Sequence, residues 1–506
     1  MSTEHFDVLV VGAGISGIAA GYHLQTACPG RTYAILERRD TIGGTWDLFR
    51  YPGIRSDSDM YTLGYPFRPW TDPKAIADGP AILRYVNETA REFGIDRNIR
   101  FGHQVKRAAW STADARWTVK AERTDTKERC RFTCNFLFMC SGYYNYDAGY
   151  TPDFAGTEHF RGRIVHPQQW TDDIEYADKR VIVIGSGATA VTLVPELATR
   201  AANVTMLQRS PSYILSLPSK DSLANALRRF LPNALVYHLI RWKNVLIGAY
   251  FFWFCRRSPE RAKAFLLRQV RAALGPDYDV EQHFTPRYNP WQQRLCLVPD
   301  SDLFKAIKAG QVSVVTDHIE TFTERGIRLR SGRTLEADLV VTATGLNLQL
   351  LGGLEVTVDG ESVEFSKTLT YKGVMFSDVP NLALTVGYTN ASWTLKCDLT
   401  CEYVCRLLNY METNGYAQCC PRPHDPDMER EPFIDFTSGY VRRAIEAFPK
   451  QGLKLPWKAY QNYLFDTWTV TYGSLTDDAM EFTRRPVGRH RDSATDDATL
   501  PEQAAG

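Results

Sequence analysis

Short, unbroken apolar runs alternate with stretches of helical period along this chain. Residues 6–11 read Phe-Asp-Val-Leu-Val-Val and predict a buried strand; a helical pattern follows from 18 to 26, then a second apolar run, Tyr33–Leu36. The same order of strand, helix and strand returns with Arg180–Ile184, the stretch up to residue 199, and residues 204–207. Apolar runs of this length, bounded by turn signals and alternating with helices, predict parallel strands buried on both faces. Two more runs, 136–139 and Leu339–Thr342, end in the similar turns Cys140-Ser141-Gly142 and Ala343-Thr344-Gly345. Their likeness suggests that the chain returns to its first domain near the second of them. The pattern predicts an α/β chain with two dinucleotide-binding, Rossmann-like domains, the first of them discontinuous. The expected divisions are 1–147, 148–335 with a helical insertion at about 215–300, a returning segment at 336–485, and a flexible tail at 486–506.

Each strand–helix junction carries a glycine turn. The first is Gly12-Ala13-Gly14-Ile15-Ser16-Gly17, and the strand after its helix ends at Glu37. Gly12 suits the tight turn, Gly14 lets backbone approach a pyrophosphate, and Gly17 lets helix and strand pack closely. A carboxylate about 20 residues past the third glycine is placed to hold ribose hydroxyls. Gly43-Gly44-Thr45-Trp46, Tyr51-Pro52-Gly53 and Asp57 follow. A glycine pair just after the ribose acid lets the chain pass close beneath a bound cofactor, which favours FAD over NAD at this turn.

The second turn is Gly185-Ser186-Gly187-Ala188-Thr189-Ala190, with alanine in the third glycine's place. Its following strand ends at Gln208-Arg209-Ser210, with no acid at the position matching Glu37. An acid there would repel a 2′-phosphate, whereas Arg209 can donate charge-assisted hydrogen bonds to one. The expected cofactor is NADPH.

Composition narrows the picture. A chain of 506 residues with 44% hydrophobic and 23% charged content fits two or three globular domains, and a net charge of +1 gives no basis for nucleic-acid binding. The N-terminus enters a strand at once, without the pattern of a signal peptide, so a cytoplasmic enzyme is expected. The 11 cysteines show no disulfide framework, and Cys397, Cys401 and Cys405 lie on one helical face with no nearby histidine, so packing is expected rather than a metal site. Residues 222–275 are helical in pattern and strongly basic, with Arg228, Arg229, Arg241, Lys243, Arg256, Arg257, Arg261, Lys263, Arg268 and Arg271. Two readings stay open there: an insertion that covers the second domain, or an amphipathic anchor that touches a membrane surface. The apolar run 245–255 is too short to span a bilayer.

A flavin with NADPH can reduce disulfides, pass hydride to an acceptor, or activate O2. The absence of a cysteine pair around residues 43–46 argues against the first. Between the two glycine turns lies Phe160-x-Gly162-x3-His166-x3-Trp170, and Gly43-Gly44-x-Trp46-x4-Tyr51-Pro52-Gly53-x3-Asp57 precedes it. These two patterns resemble the fingerprints of the type I Baeyer–Villiger flavin monooxygenases; Thr171 departs from the proline or aspartate usual in that family. The resemblance implies an NADPH- and O2-dependent enzyme that inserts one oxygen into a ketone, through a peroxide at flavin C4a, to give an ester. It also implies oxidation of sulfides or thioamides. The alternatives are a flavin-containing S- or N-oxygenase, an uncoupled NADPH oxidase or hydride-transfer reductase, and a non-catalytic binding protein.

The resemblance further implies that Arg294 stabilises the reacting anion and that Asp57 orients it. It places Ser16, Glu37, Gly44, Thr45, Trp46, Asp47 and Val105 near FAD, and Arg55, Ser56, Gly185, Gly187, Thr189, Arg209 and Ser210 near NADP. His166 is expected to couple domain motion to NADP binding rather than to transfer protons, and Trp170 to anchor the linker. The natural substrate and the oligomeric state are not readable from the sequence.

Overall fold

In the computed structural model, which describes residues 3–484, the strand Glu4–Val11 lies between two parallel neighbours. Val8 aligns with Tyr33 of Tyr33–Leu36 on one side and with Phe136 of Arg129–Met139 on the other. The antiparallel strands His103–Ser111 and Arg116–Arg123 extend this sheet beyond Arg129–Met139. Later chain completes it: Glu355–Val358 pairs with His103–Ser111, and Leu382–Leu384 pairs with Arg129–Met139, both parallel. The first sheet is therefore built from two separate stretches of sequence.

The second sheet has five strands in the order Val312–Thr316, Asn203–Gln208, Arg180–Ile184, Leu339–Thr342, Arg163–Val165. All four pairings are parallel. Its central strands are buried along their length, which accounts for their uniform valine and isoleucine content. This overturns one boundary. Leu339–Thr342 was expected to begin the return to the first domain, but it fits between Arg180–Ile184 and Arg163–Val165. An apolar strand carries no label of its sheet, so the similar turns at Gly142 and Gly345 misdirected the reading. The chain rejoins the first sheet only at Glu355–Val358.

The insertion is helical, as expected: Ser222–Leu227, Asn233–Arg257, Pro259–Leu274 and Val280–Phe284. It does more than cover the second domain. Val236, Tyr237 and Ile240 belong to the same core as Val8 and Val10 of the first sheet. Leu267, Val270, Leu274, Val280 and Phe284 belong to the core of the second sheet. The helix Trp393–Thr413 packs beside the first glycine helix, Ile15–Ala27, and buries Cys397, Cys401 and Cys405. The tail expected from 486 lies outside the described residues.

Candidate active site

The two glycine turns sit at the C-terminal ends of parallel strands, where open α/β sheets bind their ligands. A cavity of about 340 Å³ runs along the first turn and reaches the second glycine helix, Ala188–Leu197, at Ala188, Thr189 and Thr192. This volume is in the usual range for small-molecule sites, about 300–1,000 Å³. Gly12, Gly14, Ser16, Glu37, Gly44, Thr45, Trp46, Arg55, Ser56, Asp57, Val105, Ala188, Thr189 and Arg294 all line it. Chain positions as distant as Gly12 and Arg294 are thus brought to one space.

Gly17 works from behind. A Cβ on it would lie 1.8 Å from the Gly12 carbonyl oxygen, so any side chain would force helix and strand apart. Glu37 is buried at the end of its strand, and its carboxylate accepts backbone N–H bonds from Ala13 at 2.7 Å and Arg39 at 2.9 Å. Burial pushes its pKa up, and these two bonds only partly oppose that. Asp47 does not line the cavity. It is buried, accepts from Arg39 Nε at 2.8 Å and pairs with Arg50 at 3.1 Å, and so fixes the chain just after Gly44.

Arg294 and Asp57 form a charged pair on the cavity wall. Arg294 Nε and Nη2 donate to the two Asp57 carboxylate oxygens at 2.7 and 2.9 Å. This bidentate contact fixes the plane of the guanidinium. The side chains are 33% and 30% exposed, open toward the cavity rather than sealed in the core. The Asp57 charge is the main influence on Arg294 and holds it still more firmly in its charged form. Among the described residues Arg294 Nη1 makes no hydrogen bond, so its two N–H groups are free for a ligand. Tyr143, Tyr144 and Tyr440 line the same region; burial pushes Tyr144 and Tyr440 up to about 12 and Tyr143 well above the usual phenol range. All three phenols stay neutral beside the arginine at physiological pH.

Two polar atoms of the cavity-lining residues are buried without a partner among the described residues: Arg55 Nη2 and Ser141 Oγ. Arg55 Nη1 is held by Asp302 at 2.5 Å, which leaves Nη2 available. Unmet donors cost free energy unless a polar ligand satisfies them. The space therefore suits a polar, phosphate-bearing ligand.

Other residues singled out in the sequence lie away from the cavity. Gly187 is exposed, with nothing within 4 Å of where its Cβ would be. Ser186 Oγ donates to the Ser210 carbonyl at 2.9 Å, tying the second turn to the end of the next strand. Arg209 is exposed there and makes no ion pair among the described residues. Gly185 stands at the turn itself, and Ala190 is buried against the sheet.

The Phe160–Trp170 segment is structural in its contacts. Phe160 packs on Phe322 with ring centres 5.9 Å apart, and Trp170 packs on Tyr176 at 6.0 Å. A Cβ on Gly162 would meet the Asp338 carbonyl at 2.5 Å. His166 Nδ1 accepts the Gln168 N–H at 3.1 Å, so its Nε2 carries the proton and donates to the Gly345 carbonyl at 3.0 Å. Burial lowers its pKa. With both ring nitrogens occupied, His166 joins the linker to the end of Leu339–Thr342 and has no free proton to move.

Sequence reasoning missed Tyr143, Tyr144, Tyr440, Trp393 and Ser141, all of which line the cavity. Cys140-Ser141-Gly142 was detectable, since it ends a parallel strand beside the first one. Nothing local marks Tyr440, which arrives on the short helix Gly439–Ala444, far along the chain.

Residues 6–245 match the flavin-binding monooxygenase-like family. The FAD-containing monooxygenase EthA of Mycobacterium tuberculosis is 57% identical over 486 residues, covering 96% of this chain and 99% of that protein. Two solved structures share the fold over 95% of this chain and 100% of theirs: an oxidised steroid monooxygenase bound to NADP, at TM-score 0.74 and 22% identity, and an open form of cyclohexanone monooxygenase, at 0.75 and 20%.

Proposed function

The chain belongs to the flavin-binding monooxygenase-like family, among its FAD-containing monooxygenases, and on that premise we propose that it inserts one oxygen atom of O2 into a ketone to give an ester, with oxidation of sulfides or thioamides at the same site. FAD reduced by NADPH supplies the activated oxygen. The rest of the chemistry falls to the protein.

The observation that carries this reading is the bidentate Arg294–Asp57 pair on the wall of a cavity shared by the first glycine turn and the second glycine helix. Ester formation from a ketone requires an oxygen nucleophile kept as an anion, and then a negatively charged oxygen on the former carbonyl carbon. A fixed cation close to both stabilises them in a site that excludes water. Arg294 offers its Nη1 donors to that charge, and Asp57 sets their direction. The neutral tyrosines Tyr143 and Tyr440 close the region without competing for the proton.

In this reading the first glycine turn, Glu37, Thr45, Trp46 and Val105 hold FAD. Arg55, Ser56, Thr189, Arg209 and Ser210 hold NADP. Arg55 Nη2 and the free Arg209 guanidinium supply donors for phosphates.

Replacing Arg294 with Ala tests the assignment. FAD content and reduction by NADPH should persist, while ester formation falls by about 10²–10³-fold, the usual cost of losing a transition-state donor. Ester formation at the wild-type rate would remove Arg294 from the chemistry.

A further inference from the structure

The helix Asn233–Arg257 presents two apolar faces. The inner one carries Val236, Tyr237, Ile240 and Val245, all buried. The outer one carries Leu235, Leu239, Trp242, Leu246, Tyr250 and Trp253 at three- and four-residue intervals, each 45–66% exposed. A helix that rests on a core normally turns polar residues to water. This one turns out leucine and aromatic side chains over five turns.

The patch continues beyond the helix. Trp242 meets Tyr463 with ring centres 6.0 Å apart, and the following turns expose Trp468 and Tyr472, each 71%. Large side chains half exposed leave on the order of 100 Å² each, so eight of them exceed the ~300–600 Å² patch of an ordinary monomer. Nothing among the described residues covers this surface.

Charge and composition indicate what would cover it. Arg229, Arg257, Arg261 and Arg268 are exposed and make no ion pair among the described residues. On Pro259–Leu274, Arg261 and Arg268 flank Phe265, which is exposed and touches Phe251 of the long helix. The only acid between 222 and 275 is Glu260. A self-associating face would bring these arginine rims against each other and repel. An anionic lipid surface attracts them, and tryptophan and tyrosine are the side chains that settle at its headgroup level. Among the described residues no helix is long and apolar enough to cross a membrane, so the contact is with one leaflet.

We propose that the outer face of Asn233–Arg257, with Trp468 and Tyr472, seats this protein on an anionic lipid surface. The inference stands apart from the proposed reaction. The inner face nonetheless connects to the site: Val245 packs on Tyr388, which lines the cavity, and Phe252 packs on Trp291, in the segment leading to Arg294.

Flotation of the full-length, FAD-loaded protein with vesicles decides the matter, using phosphatidylcholine alone and phosphatidylcholine containing a quarter phosphatidylglycerol. The wild type should co-float with the anionic vesicles and release at high salt. The double variant L246E/W253E should lower the bound fraction roughly tenfold or more, because two large apolar side chains no longer enter the interface. The charge-reversal variant R257E/R261E should abolish the preference for anionic vesicles. These side chains face solvent, so flavin absorbance verifies that both variants remain folded. Absence of co-flotation, or co-flotation unaffected by either variant, would overturn the proposal. So would a concentration-dependent dimer that only L246E/W253E dissociates without lipid binding, which would make the face an interface between copies.

Discussion

Asp57 and Arg294 stand 237 positions apart, yet they make the bidentate contact on the cavity wall on which the proposed chemistry rests. No periodicity links them; each was singled out only because its neighbouring residues resemble a family pattern. Glu37 was different, since its spacing from Gly17 and its place at a strand end follow from the nucleotide fold itself. Arg209 lies between these cases, being readable by position, with its freedom from ion pairs supplied by the structure. Arg209→Ala should raise KM for NADPH about tenfold or more and leave KM for NADH nearly unchanged, as expected for loss of a charge-assisted phosphate contact. Equal effects on both cofactors would place the arginine elsewhere. His166 adds a pH signature. Burial holds its folded pKa below the ordinary histidine value of about 6.5, so below about pH 6.5 the unfolded chain binds the proton more readily and stability falls as pH falls. Thermal melts between pH 7 and 5 should show wild-type Tm dropping more steeply than that of His166→Gln. Parallel curves would mean that His166 binds its proton equally readily in the folded and unfolded states.

Among the elements, the strands and helices of the two nucleotide units were legible because apolar runs and glycine turns act locally. Sheet membership was not, as Leu339–Thr342 demonstrates: its four buried residues fit either sheet equally well, and only long-range pairing decides. The basic helical insertion was legible as a helix but not as a bridge between cores. Arg241, one of the arginines that made the segment look like a polar surface, is buried and donates to the backbone carbonyls of Tyr61 at 2.7 Å and Gly64 at 2.8 Å. Arg241→Met should cost about 3 kcal/mol by stranding those carbonyls, read as a lower urea midpoint. A midpoint within error of wild type would show that water replaces the guanidinium. The sequence left two readings of this segment open, a cover for the second domain or an amphipathic anchor, because an apolar period fits a core stripe and a surface face alike; only solvent exposure separates the two.

For the molecule as a whole, the arrangement puts the first glycine turn, the start of the second glycine helix, the Arg294–Asp57 pair and three neutral phenols around one cavity. The first sheet is completed by chain that returns after the second sheet is finished, and His166 directly follows Arg163–Val165, the edge strand of that second sheet. That layout follows from parallel-sheet topology, in which binding edges lie at strand C-termini. The measurement that bears most directly on the central claim is product analysis after turnover of the FAD-loaded protein with NADPH, 18O2 and a panel of small ketones. The expected product is an ester one oxygen heavier than its ketone, carrying the 18O label and formed in step with NADPH consumption. NADPH oxidation that yields only hydrogen peroxide, with unaltered ketones and unaltered sulfides in a parallel panel, would contradict it.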